Sequence, residues 1–343
     1  MNDGPALHVP PRVIPVPQHL SEAAQAVLTP VGAEGIQYPA LDDLDGWRDL
    51  IAQLNAMALE WMTEHAPQIA VDIEEIDVGD VGVYVITPVD ASPADRRTFL
   101  YVHGGGLIVN AGERCRLMGL DAVRQSRVPT WAVDYRMPPD HPYPTPVSDC
   151  VAAYRALLAE HRPEEIVIGG DSAGANLAAA AILRGRDEGL PLPAAAVLIS
   201  PQLDLTESGD SFATNLGVDN VLGKSLMPSN LLYADGHDLS HPYLSPLFGD
   251  FSLGFPPTVL TAGTRDLFLS NAVRMHRRLR SAGIDAELHV LEAAPHGMFF
   301  FTEAPERLEV EHDIRRFCST HWGSADLTRP MVEHDGRVPP SMS

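Results

Sequence analysis

Eight short strand-like segments, most of them separated by helix-length stretches, constrain the fold of this chain more than any other feature. In chain order they read VDIEEIDV, GVYVITPV, TFLYVHG, PTWAVDY, EIVIGG, AAAVLIS, PTVLTAG and AELHVLE. Apolar strands that alternate with helices are typical of a mostly parallel sheet buried on both faces. Gly79 and Asp80 separate the first two segments and predict a hairpin at one edge. Because the spacing is uneven and a long interruption follows Ser200, we expect an open eight-stranded α/β sheet rather than a closed barrel.

Charge and composition exclude several classes of function. The 343 residues are 45% hydrophobic and carry a formal net charge of -22, so the chain can bury a large core behind an acidic surface. Such a surface repels phosphate backbones and anionic lipids, so we expect neither nucleic acid nor a membrane surface as a partner. No apolar run is long enough to span a bilayer, and the first twenty residues lack the pattern of a signal peptide. A cytoplasmic location is therefore expected.

The three cysteines predict neither a disulfide framework nor a zinc site. Cys115, Cys150 and Cys318 are widely spaced, form no CxxC pair and are odd in number. We therefore expect reduced, packed thiols, and no metal or cofactor.

The apolar pattern also divides the chain. Residues 1–68 read as a proline-rich arm followed by helices, and residues 69–200 with 254–322 as the α/β core. Between them, residues 201–253 are an insertion with helical apolar spacing, placed where open α/β sheets bind ligands, and we expect it to form a cap together with the N-terminal helices. The apolar stripe from Trp47 to Met62 is explained by core packing or by a lid over a cavity. Residues 323–343 have few apolar anchors and read as a flexible tail.

One serine stands where a buried strand runs directly into a helix. In "EIVIGGDSAGANLAAAAIL", Ser172 lies between Gly170 and Gly174 in a G-x-S-x-G pattern, with Ala173 next to it. Small residues on both sides allow the sharp turn that exposes a nucleophilic hydroxyl at the start of a helix. There the positive end of the helix dipole stabilises negative charge that develops during a reaction. The segment predicts a nucleophile elbow.

A serine nucleophile needs a base and a group that orients the base. Asp266 follows the strand PTVLTAG by three residues, and His296 comes just after the strand AELHVLE. Both therefore belong to loops at the sheet edge that Ser172 also occupies. Among the fourteen histidines, only His296 combines a loop after a strand with a following glycine. We predict Ser172, Asp266 and His296 as the catalytic residues.

A glycine run after a third strand offers donors for an oxyanion. In "YVHGGGLIVN", three glycines let the backbone approach a substrate and turn N–H groups toward it. Together with the N–H of Ala173, the residue after the serine, this glycine run predicts an oxyanion hole.

Together, the motifs HGGG, GDSAG, GTRD and PHG resemble those of the hormone-sensitive-lipase-like esterases, which have the α/β-hydrolase fold. The resemblance extends through DYRMPPDHPYPTPVSD and HPYLSPLFGD and covers roughly residues 70–320, with the N-terminal helices as a cap. It implies a carboxylesterase in which the N–H groups of Gly105, Gly106 and Ala173 form the oxyanion hole and His103 steadies the glycine loop. Leu107 departs from the family, in which an aromatic residue commonly follows the glycine run.

These features predict a serine carboxylesterase acting through an acyl-enzyme on short to medium acyl esters or small lactones. Substrate contacts are expected from Leu107, Asp171, Phe212, Leu216 and Met298. Two alternatives remain open: an amidase or peptidase with the same triad, and a binding receptor that has lost catalysis. The last strand and the last helix could form the edge of a homodimer.

Overall fold

One eight-stranded sheet is the centre of the fold. The structure, a computed structural model, describes residues 7–28, 36–300 and 302–323. Within these residues the strand order is β1-β2-β4-β3-β5-β6-β7-β8. The strands are β1 (Val71–Val78), β2 (Val81–Pro88), β3 (Thr98–Val102), β4 (Thr130–Asp134), β5 (Ile166–Asp171), β6 (Ala195–Ile199), β7 (Thr258–Gly263) and β8 (Ala286–Leu291).

Pairing in the sheet follows the predicted pattern. β1 pairs with β2, and β2 with β4, in antiparallel register, which places the hairpin at one edge. All other pairs, from β4 through β3, β5, β6 and β7 to β8, are parallel. Because two antiparallel pairings separate β1 from β4, β1 runs in the same direction as the parallel strands. The carboxyl ends of seven strands, all except β2, therefore point toward one edge of the sheet. The predicted α/β-hydrolase architecture, a mostly parallel eight-stranded sheet flanked by helices, is confirmed.

Helices cover both faces of the sheet, because alternate residues of each central strand point to opposite sides. The helices are α1 (Glu22–Val27), α2 (Leu44–Glu64), α3 (Glu113–Ser126), α4 (Thr145–Glu160), α5 (Ala173–Asp187), α6 (Ser211–Thr214), α7 (Met227–Ala234), α8 (Leu269–Ser281) and α9 (Pro305–His321). In β3, Leu100 and Val102 enter one buried cluster with residues of α4, α5 and α8. Phe99 and Tyr101 enter a second cluster with residues of α3 and α9.

Two segments outside the sheet contact each other. The Asn220 side chain, from the stretch between α6 and α7, donates to the carbonyl oxygen of Val27 at 2.5 Å. In the same stretch, the Lys224 ammonium donates to the carbonyl oxygen of Ile36. The predicted insertion is thus hydrogen-bonded to the N-terminal part of the chain.

The ends of the chain are described only in part. Residues 7–17 contain no helix or strand, in keeping with their prolines. Residues 1–6 of the predicted arm and 324–343 of the predicted tail lie outside the described residues. No helix in the described part of the chain has the length and apolar character needed to cross a membrane.

Candidate active site

Ser172 occupies a strained turn between β5 and α5. Its backbone has φ 54° and ψ −121°, a conformation that costs free energy for a residue with a side chain. Its N–H donates to the carbonyl oxygen of Ile199 at 2.8 Å, which ties the turn to the neighbouring strand. A Cβ at Gly174 would lie 2.0 Å from the carbonyl oxygen of Val102, so the turn requires glycine there. The surrounding backbone therefore holds Ser172 at the carboxyl edge of the sheet.

His296 and Asp266 form a hydrogen-bonded pair on the loops after β8 and β7. His296 Nδ1 lies 3.1 Å from Asp266 Oδ1, and the same oxygen accepts the N–H of Phe268 at 2.8 Å. The Phe268 ring packs edge-on against the imidazole, with centroids 4.9 Å apart. Asp266 is fully buried, and His296 is only 7% exposed. Because Nδ1–H donates to the carboxylate, Nε2 is left as the basic nitrogen of the neutral ring.

A second buried carboxylate, Asp219, lies beside this pair. Its Oδ1 accepts the N–H of His296 at 3.3 Å and the N–H groups of Val221 and Leu222 at 2.9 and 3.1 Å. Its Oδ2 accepts the N–H of Leu267 at 3.0 Å. Asp219 thus joins the insertion to both catalytic loops. Sequence reasoning missed it, because a single aspartate in the stretch GVDN carries no motif.

Burial and nearby carboxylates act in opposite directions on the pKa of His296. Burial lowers it, but Asp266, by charge and hydrogen bond, and the charges of Asp219 and Asp171 outweigh burial, so the pKa stands above its ordinary value. Burial raises the pKa of Asp171 to about 6, although the Tyr101 hydroxyl, which donates to Oδ1, opposes that rise. The site therefore has two buried groups, His296 and Asp171, whose pKa values are both raised.

The glycine loop after β3 faces Ser172. Gly105 has φ +126°, and a Cβ there would meet the carbonyl oxygen of Val109 at 2.3 Å. Gly105, Gly106 and Ser172 line the same cavity. Ala173 is the first residue of α5, so its N–H is among those with no partner within the helix. His103 Nδ1 donates to the carbonyl oxygen of Gly104 at 2.7 Å, which supports the loop from beneath.

The cavity at this edge has a volume of about 530 Å³, within the range of small-molecule sites. Ser172 and His296 both lie in its wall, together with Asp171. The N-terminal segment contributes Val27, Ile36, Tyr38, Leu54, Ala58, Trp61 and Met62. The insertion contributes Val221, Leu222, Leu226 and Ser229. The walls are mainly apolar, and both segments cover the serine.

The predicted substrate contacts are mostly placed elsewhere. Asp171 lines the cavity, but among the described residues its walls do not include Leu107, Phe212, Leu216 or Met298. Leu107 and Met298 are packed into the two buried clusters. The Phe212 ring lies 5.6 Å from that of Phe268, which packs against His296, and Leu216 is 52% exposed. Leu107, the departure from the family pattern, therefore packs in the core instead of shaping the cavity.

Known proteins share this architecture. A sequence model of the α/β hydrolase fold matches residues 99–300. An acetyl-hydrolase of Streptomyces hygroscopicus is 36% identical over 238 residues, which cover 69% of this chain and 75% of that protein. An esterase of Acinetobacter venetianus is 28% identical over 236 residues, covering 68% of this chain and 78% of the relative.

Solved structures agree with the sequence comparisons. The crystal structure of an esterase known as E25 matches with a TM-score of 0.85 and 33% identity, covering 93% of this chain and 99% of that one. A hormone-sensitive lipase from a metagenome library matches with a TM-score of 0.74 and 30% identity, covering 84% and 94%. The chain therefore belongs to the α/β-hydrolase fold family, among the hormone-sensitive-lipase-like carboxylic ester hydrolases.

Proposed function

We propose that the chain is a serine esterase in which Ser172 is the nucleophile, His296 the general base and Asp266 the group that orients the base. The observation that carries this proposal is the His296–Asp266 pair, 3.1 Å apart, on the wall of a cavity that also holds Ser172. The strained backbone of Ser172 is a second support, since such strain concentrates at functional positions.

The proposed reaction begins when Ser172 Oγ attacks the ester carbonyl carbon and His296 Nε2 takes the hydroxyl proton. The N–H groups of Gly105, Gly106 and Ala173 bind the oxyanion of the tetrahedral intermediate. The intermediate collapses as His296 gives its proton to the departing alcohol, leaving an acyl group on Ser172. Water, activated by His296, then attacks the acyl-enzyme and releases the acid. Every step uses protein groups and water alone.

The substrate class is proposed from the cavity. A volume of about 530 Å³ with mainly apolar walls suits short to medium acyl esters and small lactones. The relative from Streptomyces hygroscopicus, an acetyl-hydrolase, supports short acyl groups. We therefore expect turnover of p-nitrophenyl esters to peak between acetate and the medium-chain acyl groups, and small lactones to be opened by the same serine.

The direct test of the nucleophile is Ser172→Ala, assayed with p-nitrophenyl butyrate. Loss of a triad nucleophile lowers kcat by about 10⁶-fold in well-studied serine hydrolases. Ser252→Ala is the matched control, because this exposed serine lies in a short helical turn at 251–253 and bonds only locally to Asp250. Retention of most of the activity in Ser172→Ala would reject the proposal.

Two measurements separate the alternatives. Matched anilide and ester substrates distinguish an amidase from an esterase, and we expect the ester to be turned over far faster. A receptor without catalysis would bind an ester and release it unchanged. Product formation in the wild type that is absent in Ser172→Ala would exclude that alternative.

A further inference from the structure

Three side chains that have no part in the proposed reaction lie close together next to the glycine loop. They are His103 after β3, Cys115 in the first turn of α3, and Asp134 at the end of β4. Nε2 or Nδ1 of the imidazole, the Cys115 sulfur and a carboxylate oxygen all lie within 4.8 Å of one another. The sheet brings them together, because β3 and β4 are parallel neighbours whose ends are in register at Val102 and Val133.

One ring nitrogen of His103 has no hydrogen-bond partner among the described residues. Nδ1 faces the carbonyl oxygen of Gly104 at 2.7 Å, and a carbonyl only accepts, so Nδ1 carries the proton and Nε2 the lone pair. Nε2 is buried and has no hydrogen-bond partner in the described part of the chain. A buried polar atom without a partner calls for an unseen water or ion. A histidine whose second ring nitrogen donates to a backbone carbonyl is also the usual arrangement of a metal ligand.

The other two groups supply negative charge. Cys115 is fully buried, and its sulfur gains a negative charge when a cation replaces the thiol proton. Asp134 is half-buried, and both of its oxygens lie 3.0 Å from the N–H of Gly112. Asp134 is therefore the most exposed of the three groups, since His103 and Cys115 are fully buried.

Acidic and basic groups both lie near the cluster. Glu75 and Glu113 act on Tyr84 together with Asp134 and Cys115, which places these groups in one neighbourhood, although Arg116 forms an ion pair with Glu113. The charge of Arg114 also acts on His103 and opposes a cation, but its guanidinium donates to the carbonyl oxygen of Leu54 at 2.9 Å and to Asn55 Oδ1 at 3.1 Å. The carboxylates of Asp134 and Glu75 together outweigh this single positive charge.

We propose that His103 Nε2, Cys115 Sγ and one carboxylate oxygen of Asp134 form a binding site for a zinc-like divalent cation. One imidazole, one thiolate and one carboxylate are the ligand types that Zn²⁺ takes. Zinc bonds of about 2.0 to 2.3 Å require the donors to close in by roughly an ångström. Binding breaks the Cys115 S–H bond and passes the proton to solvent, and the thiolate and carboxylate then balance the two positive charges.

Cation binding here would not require the proposed esterase reaction. The cation site would nevertheless be connected to the glycine loop, because His103 is hydrogen-bonded to the carbonyl oxygen of Gly104. A cation at Nε2 would fix the imidazole and hence the position of that loop.

The test is a zinc titration of the purified chain, stripped of metal, in competition with a chromophoric chelator. We expect one equivalent of Zn²⁺ to bind wild type, and the affinity to fall by about ten-fold or more in Cys115→Ala and in Asp134→Asn. Cys318→Ala is the matched control, since this thiol is equally buried but lies in α9. Circular dichroism verifies that each variant is folded.

Cobalt identifies the ligands independently of affinity. With Co²⁺ in place of zinc, wild type should show a thiolate-to-cobalt charge-transfer band. The band reports the bond to sulfur, so it should be lost in Cys115→Ala. It should persist in Cys318→Ala, and in Asp134→Asn wherever cobalt still binds the Cys115 sulfur. Zinc should also raise the Tm of wild type more than that of either site variant. Three results would each overturn the proposal: no charge-transfer band in wild type, no saturable zinc uptake by wild type, or equal zinc uptake in wild type and Asp134→Asn. None of these results depends on whether Cys115→Ala folds.

Discussion

The backbone N–H of His296 donates to Oδ1 of Asp219 over 3.3 Å, although 77 residues separate the two along the chain. Asp219 is 1% exposed and accepts three further N–H groups, from Val221, Leu222 and Leu267. A buried carboxylate is retained only when it is well hydrogen-bonded. Asp219 therefore ties the loop of His296 and the loop of Asp266 to the insertion that covers the cavity.

Asp219→Asn should alter the pH dependence of activity. His296 must be neutral to accept a proton, so kcat/KM falls as the pH drops through the pKa of this imidazole, which lies above its ordinary value. Removing the charge of Asp219 removes one of the groups that raise that pKa, and the acidic limb should move to lower pH. The measurement is kcat/KM between about pH 5 and 9.

Asp210→Asn serves as the control for this variant, because Asp210 is an exposed residue of the same insertion. An acidic limb that stays in place in Asp219→Asn, or moves equally in both variants, would contradict the assigned influence of Asp219.

Asp171→Asn should change the dependence of stability on pH. Burial raises the pKa of Asp171 from 3.8 to about 6, so between these values the folded chain holds more protons than the unfolded one, and its stability falls as the pH rises. Asparagine still accepts the Tyr101 hydroxyl but carries no charge. We expect the variant to be more stable than wild type by roughly 1 to 3 kcal/mol at about pH 8, and to show no such gain at about pH 4.

Urea unfolding at the two pH values measures this difference. Asp42→Asn, at an exposed position outside the cavity, should leave the stability unchanged at both. A gain in Asp171→Asn that is equal at both pH values would show that the charge of Asp171 is not its cause.

The walls of the cavity should set the acyl-chain preference. Leu222 lies in the wall, and a tryptophan there would take up space needed by longer chains. Each buried CH₂ is worth about 0.8 kcal/mol, or roughly four-fold in kcat/KM. In Leu222→Trp we therefore expect a small effect on p-nitrophenyl acetate and a loss of about ten-fold or more on the octanoate.

Leu216→Trp is a stringent control, since Leu216 belongs to the same insertion but is 52% exposed and outside the cavity wall. Its chain-length profile should match wild type. Equal shifts in both variants would mean that the position of Leu222 in the wall does not determine the preference.

The two glycines of the oxyanion loop should respond differently to alanine. A Cβ at Gly105 would lie 2.3 Å from the carbonyl oxygen of Val109, whereas one at Gly106 would meet nothing within 4 Å. Gly105→Ala must therefore displace the loop, and loss of an oxyanion donor costs about 10² to 10³ in kcat. Gly106 has φ +58°, which strains an alanine, but no atom blocks its Cβ, so Gly106→Ala should cost less than about ten-fold. Equal kcat values for the two variants would argue against Gly105 as a donor.

Much of the fold could be predicted from the sequence because its signals are local. Each strand is a continuous run of residues with a typical strand length, and all eight form within two residues of the predicted bounds. The catalytic candidates were found in the same way. Ser172, Asp266 and His296 each follow a strand, and parallel strands bring their carboxyl ends to one edge.

Features that depend on the path of the chain between elements could not be predicted. Phe212 and Leu216 are apolar residues of the insertion and are therefore expected from the sequence to contact the substrate. The stretch after α6 instead brings Val221 and Leu222 into the wall of the cavity that holds Ser172. Asp219 acquires its role only through four backbone groups on three loops. The spacing of Cys115 predicted a packed thiol, and only the register of β3 with β4 brings it near His103 and Asp134.

Covalent labelling with a p-nitrophenyl alkylphosphonate tests the central claim most directly, because the phosphonate traps the activated nucleophile. Intact mass and peptide mapping should show one phosphonyl group per chain, attached to Ser172, with loss of esterase activity in proportion to labelling. Ser172→Ala should remain unlabelled. A label on another residue that abolishes activity, or full activity after complete labelling of Ser172, would contradict the account.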